Sequence, residues 1–204
     1  MRTYRTVSLN ALWFLIALNV VIFVITRLRP EGMILTFGLT PAYLPKQPWT
    51  ILTAMFVHYD FFHILFNMIS LYFLGSFFLR AAGERNFLEV FFIGGLAGNL
   101  LYFLLGYLVY LGKVPAALGN PFSTGIGASG AVFAIGGALA VLVPRVRVMV
   151  FPVPIPMPLW VAIIILLVLS FFFAGIAWQA HLGGVAAGAI MGYLLRRRGR
   201  YYHF

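Results

Sequence analysis

A chain of 204 residues with 63% hydrophobic and only 9% charged side chains lies far from the roughly 25% charged composition of soluble domains, and it reads as an all-α, multi-pass membrane protein. Its four acidic residues, Glu31, Asp60, Glu84 and Glu89, and its lack of cysteine exclude multi-carboxylate mechanisms, thiolate nucleophiles, disulfides and Cys-ligated metals. The net charge of +10 marks membrane topology rather than a nucleic-acid partner, because of where the basic residues fall.

Six apolar runs cover residues 9–25, 61–79, 91–111, 130–143, 159–176 and 182–195, each bounded by charge, Pro or Gly. Several are shorter than the ~20 residues of a full crossing. The expected fold is one domain over residues 1–204, a six-transmembrane-helix bundle. With the amino terminus inside, Arg2, Arg5, Arg80, Arg85, Arg145, Arg147, Arg196, Arg197, Arg198 and Arg200 share the inner side against Arg27, Arg29, Lys46 and Lys113 outside. Both termini are therefore expected in the cytoplasm.

Residues 1–7 carry two Arg and lead into a run long enough to stay in the bilayer, so the first span reads as an anchor helix rather than a cleavable signal. Residues 29–59 hold Pro30, Pro41, Pro45, Pro48 and Trp49 and are expected to form a structured, partly embedded interfacial loop between helices 1 and 2. Pro152, Pro154, Pro156 and Pro158 alternate through residues 148–158, which predicts an extended connector and a fifth helix starting near Leu159. Residues 196–200 form a basic tail suited to anionic lipid. Trp49, Trp160 and Trp178 read as interface anchors. With no additional domain or targeting presequence visible, a prokaryotic cell membrane is the expected location.

Polar residues inside spans are costly, so they point to function. His63 lies 17 residues before Arg80, Ser129 lies 16 before Arg145 and His181 lies 15 before Arg196. At ~1.5 Å per residue these sit roughly 26, 24 and 23 Å above the inner border of a core ~30 Å thick, at one level just below the outer surface. Asn67 stacks one turn below His63 on the same helix face. Asp60, about 30 Å from the Arg80 border, reads as a solvated charge at the loop end. His58 reads as interfacial and His203 as a tail residue.

Ser123-Thr124-Gly125-Ile126-Gly127-Ala128-Ser129-Gly130 is a small-residue loop passing into an apolar helical run. A helix starting near Ser129 leaves its first N–H groups unpaired and suited to a developing oxyanion. Two readings stand side by side: Ser129 as an ordinary N-cap, or Ser129 as a nucleophile whose proton His181 takes. No carboxylate lies at that level, so the catalytic version is a Ser-His dyad. Gly184, Gly188 and Gly192 share one face of the last span and permit close helix packing.

These elements resemble the rhomboid intramembrane serine proteases over essentially the whole six-span chain. Gly127-Ala128-Ser129-Gly130 resembles the family's Gly-x-Ser-Gly nucleophile motif, and Ala180-His181-Leu182-Gly183-Gly184 its general-base motif. His63-Ile64-Leu65-Phe66-Asn67 resembles the His-x-x-x-Asn of the second span, with His58 matching a further histidine. The resemblance implies a six-helix rhomboid-like bundle that hydrolyses peptide bonds in or near transmembrane segments of single-span or multi-span membrane proteins, without metal or cofactor. It makes Ser129 the nucleophile and His181 the base, with His63, Asn67 and the Ser129 N–H at the oxyanion, and it implies a gate at the fifth helix. Gly127 and Phe133 would support the dyad.

Two positions depart from the family pattern. Thr50 follows Trp49 where the family often carries Arg, and Phe133 stands where many members have Tyr. Two other classes compete with the protease: a small channel or transporter with a His63 and His181 path, and a catalytically silent rhomboid-like binder of membrane helices. A metalloprotease lacks its His-Glu-x-x-His motif here, and an aspartyl mechanism lacks a second Asp.

Overall fold

The computed structural model describes residues 8–150, 153–173 and 175–199. The expectations placed on Arg2, Arg5, Pro152, Arg200 and His203 lie outside these residues, as does the structure of the chain ends. Each of the six apolar runs becomes one helix. They are α1 (Asn10–Leu28), α4 (Phe61–Ala82), α5 (Glu84–Tyr110), α6 (Ser129–Leu142), α7 (Leu159–Phe172) and α8 (Trp178–Arg197), with two short helices, α2 (Pro30–Phe37) and α3 (Thr50–Thr53), between the first two. By length and composition α1, α4 and α5 are able to cross a membrane, while α6 and α7 are apolar helices of 14 residues each. The chain is a mostly helical, membrane-integral bundle.

Burial sorts the helices. Gly130, Ala131, Val132, Ala134, Ile135, Gly136, Gly137, Ala138, Leu139 and Leu142 of α6 are all buried, the pattern of a helix that is apolar all round and surrounded on every side. It packs against α8, α5, α4 and α7. By contrast, α7 buries only Leu159, Ala162, Ile163 and Ser170 and exposes Ile164, Ile165, Leu169 and Phe172. Its outward face is as apolar as a core, as a helix bathed in hydrocarbon requires.

The seam between α6 and α8 depends on absent side chains. A Cβ on Gly184 would fall on the Gly130 carbonyl, and one on Gly188 on the Ala134 carbonyl. Close backbone approach of this kind supplies the dispersion contact that drives helix association where the hydrophobic effect gives no preference between protein and lipid. At the far end of the seam, the Arg196 guanidinium donates to Val141 O (3.3 Å) and so satisfies a carbonyl in the last turn of α6.

The span reading starts α5 too late. Its helix begins at Glu84, directly after a one-residue joint at Gly83 (φ +82). Glu84 suits the positive end of the helix dipole, and Arg85 pairs with Glu89 one turn on (2.9 Å). Polar residues at a helix start hide its boundary from a hydropathy pattern. The proline-rich connector is a hairpin: β1 (Arg147–Val150) and β2 (Val153–Pro158) pair antiparallel with a bulge between Val148 and Val150. Successive N–H groups of a strand point to opposite sides, so proline at every second position leaves one edge of β2 without donors and closed to further strand pairing. Helix α7 starts at Leu159, as the proline spacing predicts.

Residues 29–59 are structured throughout. Trp49 Nε1 donates to Thr36 O (2.8 Å), Thr53 Oγ1 to Phe37 O (2.7 Å), and Asn99 Nδ2 on α5 to Ile51 O (2.8 Å). Thr50, at the position of the missing arginine, is buried and bonds Gln47 O (2.7 Å). Backbone and hydroxyl bonds therefore anchor the loop where charge is lacking. This loop also braces the strand-like approach to α6: Leu39 and Gly125 exchange two backbone bonds (2.9 and 2.8 Å), and Thr40 Oγ1 meets Thr124 Oγ1 (2.8 Å).

Candidate active site

Helix α6 begins at Ser129 with Ala128 as its N-cap and no side-chain capping bond. Ser129 is thus the first helical residue rather than the cap, and its hydroxyl is not used to close the helix end. The first intrahelical bond runs from Val132 N to Ala128 O (3.0 Å), so the N–H groups of Ser129, Gly130 and Ala131 precede the hydrogen-bonded ladder. Ser129 Oγ lies 2.8 Å from His181 Nε2, across the α6–α8 seam.

His181 is buried, and its Nδ1 has no partner among the described residues. For Nε2 to accept the serine proton, Nδ1 must carry the other proton. No carboxylate orients the ring; Phe133, one turn into α6, does so by stacking on it, with centroids 4.3 Å apart and planes 21° from parallel. The phenyl ring fills the place of the absent tyrosine by its face alone.

His63 and Asn67 share the inward side of α4. Asp60 caps this helix by accepting from His63 N (2.8 Å). The Tyr59 N–H donates to His63 Nδ1 (3.4 Å), which leaves the ring proton on Nε2. That nitrogen faces Gly127, where an added Cβ would stand 2.6 Å from it. Gly127 has φ +115 and donates its N–H to Ala54 O (2.8 Å); only glycine combines that backbone with that proximity. Asn67 Nδ2 bonds His63 O (2.8 Å), and Asn67 Oδ1 is buried with no partner among the described residues.

Ser129, His181, His63 and Asn67 line one open cavity of about 910 Å³, together with Tyr102, Phe171, Trp178 and Gln179. A site of that size with mixed polar and aromatic walls accommodates a short extended segment. Gln179 Nε2 donates to Leu118 O (2.8 Å) and Tyr102 OH to Ser123 O (2.8 Å), fixing the walls to the loop before α6. Trp178 stacks on Phe171 (4.4 Å, 26°), so it belongs to the cavity wall rather than serving only as an interface anchor. Trp49 and Trp160 remain about half exposed.

His58 corrects the interfacial reading. It is fully buried, its Nδ1–H meets Phe56 O (3.3 Å), its Nε2 accepts from Ala128 N–H (3.4 Å), and its ring packs edge-on against His63 (5.1 Å). Burial and the neighbouring His63 push its imidazole down to about 3, against the opposing bond to Phe56 O. His58 is therefore a neutral peg between the first loop, His63 and the residue preceding Ser129. Spacing alone offers no signal for this, since five residues separate His58 from His63 across a break in the helix.

Residues 45–198 match the family model for the Rhomboid domain. RHOMBOID-like protein 12, mitochondrial, of Arabidopsis thaliana is 35% identical over 169 residues, covering 74% of this chain and 47% of that protein. Putative rhomboid protease YdcA of Bacillus subtilis is 24% identical over 185 residues, covering 89% and 86%. Rhomboid protein 1, mitochondrial, of Saccharomyces cerevisiae is 26% identical over 209 residues, covering 95% and 56%. The chain thus spans about half the length of the plant and yeast relatives and most of the bacterial one.

Proposed function

The chain belongs to the rhomboid family of membrane proteins, and from that premise we propose that it is an intramembrane serine endopeptidase working through a Ser129–His181 dyad. The observation that carries this reading is the 2.8 Å contact between His181 Nε2 and Ser129 Oγ at a helix start inside the shared cavity.

In the proposed reaction Ser129 Oγ attacks the scissile carbonyl carbon while His181 Nε2 takes the hydroxyl proton. The carbonyl π electrons move to oxygen, and the oxyanion is met by the Ser129 N–H, the His63 Nε2–H and the Asn67 amide. Collapse breaks the C–N bond; the imidazolium returns its proton to the leaving amine and an acyl-serine remains. Water then attacks that ester, gives its proton to His181, and releases the carboxyl product as Ser129 is reprotonated. Phe133 offers its negative ring face to the imidazolium, a service that a carboxylate gives in Ser-His-Asp triads.

Substrates on this reading are single-span or multi-span membrane proteins whose transmembrane segment unwinds near Ser129. With six spans and the arginine-rich end in the cytoplasm, as this reading has it, the dyad lies near the opposite surface, within reach of water. Reconstitution of wild type, Ser129→Ala and His181→Ala with a single-span substrate tests the proposal: cleavage by wild type alone is expected, with fluorophosphonate labelling lost in Ser129→Ala. Persistent cleavage by Ser129→Ala overturns it, and labelling-negative wild type that binds helices without cutting them identifies a silent binder.

A further inference from the structure

Asp60 is the only Asp, Glu, Lys or Arg among the described residues that line the cavity. It is exposed, stands in the loop immediately before α4 and takes part in no ion pair among the described residues. One carboxylate oxygen, Oδ1, accepts the His63 N–H; no described residue donates to Oδ2. Beside it in the chain Tyr59 exposes 66% of its surface, and the stacked pair Phe171 and Trp178 lines the same cavity. A carboxylate adjoining an exposed tyrosine in an aromatic-lined cavity favours a cation by both charge and ring quadrupole. The other charged residues that the chain order brings to this end, Arg27, Arg29, Glu31, Lys46 and Lys113, are not part of the lining.

We propose that Asp60 is a specificity-determining residue that selects substrates carrying Lys or Arg in the flank of the transmembrane segment on the Ser129 side. A cavity of about 910 Å³ is roughly 10 Å across, the length of about three extended residues, so the cation belongs about three residues from the scissile bond. The inference rests on the protease reading for its location, but recognition is measurable without turnover. An exposed pair of this kind changes binding by about two- to fivefold.

The test uses three single-span peptides that differ only by Lys, Gln or Glu at that flank position, with full-length protein in proteoliposomes. Binding is read by fluorescence anisotropy in Ser129→Ala and in Ser129→Ala/Asp60→Asn, and cleavage in wild type and Asp60→Asn. Asparagine caps helices as well as aspartate, so the cap is kept while the charge is removed, and comparing peptides within one variant cancels any general change in rate. A Lys-over-Glu preference of at least about threefold is expected with Asp60, shrinking at high salt and falling to near unity in Asp60→Asn. An equal loss for all three peptides, or a preference that survives Asp60→Asn, overturns the proposal. Charge-selective binding without cleavage upholds it while sinking the protease reading.

Discussion

Phe133 and His181 lie face to face, their ring centroids 4.3 Å apart and their planes only 21° from parallel. With Nδ1 of His181 unpartnered among the described residues, this stack is what sets the ring plane from which Nε2 reaches Ser129. Phe133→Leu keeps apolar volume but loses the flat face, and such contacts are worth about 0.5–1.5 kcal/mol. The expected result is a kcat lower by about two- to tenfold with KM little changed, measured on a single-span substrate in proteoliposomes.

The α6–α8 seam is expected to be intolerant of a single methyl. Because a Cβ on Gly188 meets the Ala134 carbonyl, Gly188→Ala should lower stability by about 1–3 kcal/mol and reduce cleavage by moving His181 from Ser129. Gly32 has no atom within 4 Å of its would-be Cβ, so Gly32→Ala is the control and should melt no lower than wild type, a helical Gly→Ala without a clash being mildly stabilising. Thermal unfolding in detergent micelles, read beside cleavage rate, checks both.

Gly127→Ala combines backbone strain at φ +115 with pressure on His63 Nε2. Strain of this type costs about 1–3 kcal/mol, and the protein can relieve it only by moving the loop before Ser129 or the His63 ring. Cleavage is expected to fall at least about tenfold. Wild-type turnover in this variant refutes a need for close contact between Gly127 and His63.

His58 should make stability depend on pH. Its folded imidazole titrates at about 3, below the ordinary 6.5, so the unfolded chain binds more protons than the folded one between those values. Stability is then fully present above about 6.5 and is lost as pH falls toward 3, by at most about 1.4 kcal/mol per pH unit. Thermal midpoints taken from pH 7 to 4 should decline in wild type and decline less steeply in His58→Gln, whose amide can still accept from Ala128 N–H. Parallel slopes count against this role.

Several features were legible in the residues because each rests on local chemistry. Alternating prolines forbid a helix and mark where α7 starts. Apolar runs locate the six helices, and small residues before Ser129 mark a loop that a helix can follow. Counting from the arginines set Ser129, His181 and His63 at one depth, and all three line the same cavity. Other features have no local signature. The start of α5 at Glu84 is polar, so hydropathy passes over it. The burial of His58 and the bonds from Asn99, Tyr102 and Gln179 to Ile51, Ser123 and Leu118 join residues many positions apart, and an isolated polar residue in an apolar helix does not name its partner.

Composition and residue order alone are enough to specify a lipid environment, the polar groups on offer and an expected axial order along the helices. An apolar chain almost free of carboxylates and without thiols belongs in lipid and leaves serine, histidine, amide and backbone as its polar groups, and a rise of ~1.5 Å per residue turns sequence distance into an expected depth. Azimuth and separation come from the packing of helices against one another. Which face of α6 meets which face of α8, and whether a serine and a histidine at equal depth stand 2.8 Å apart or on opposite sides of the bundle, follows from glycine contacts across the seam. Such contacts are a property of two surfaces together.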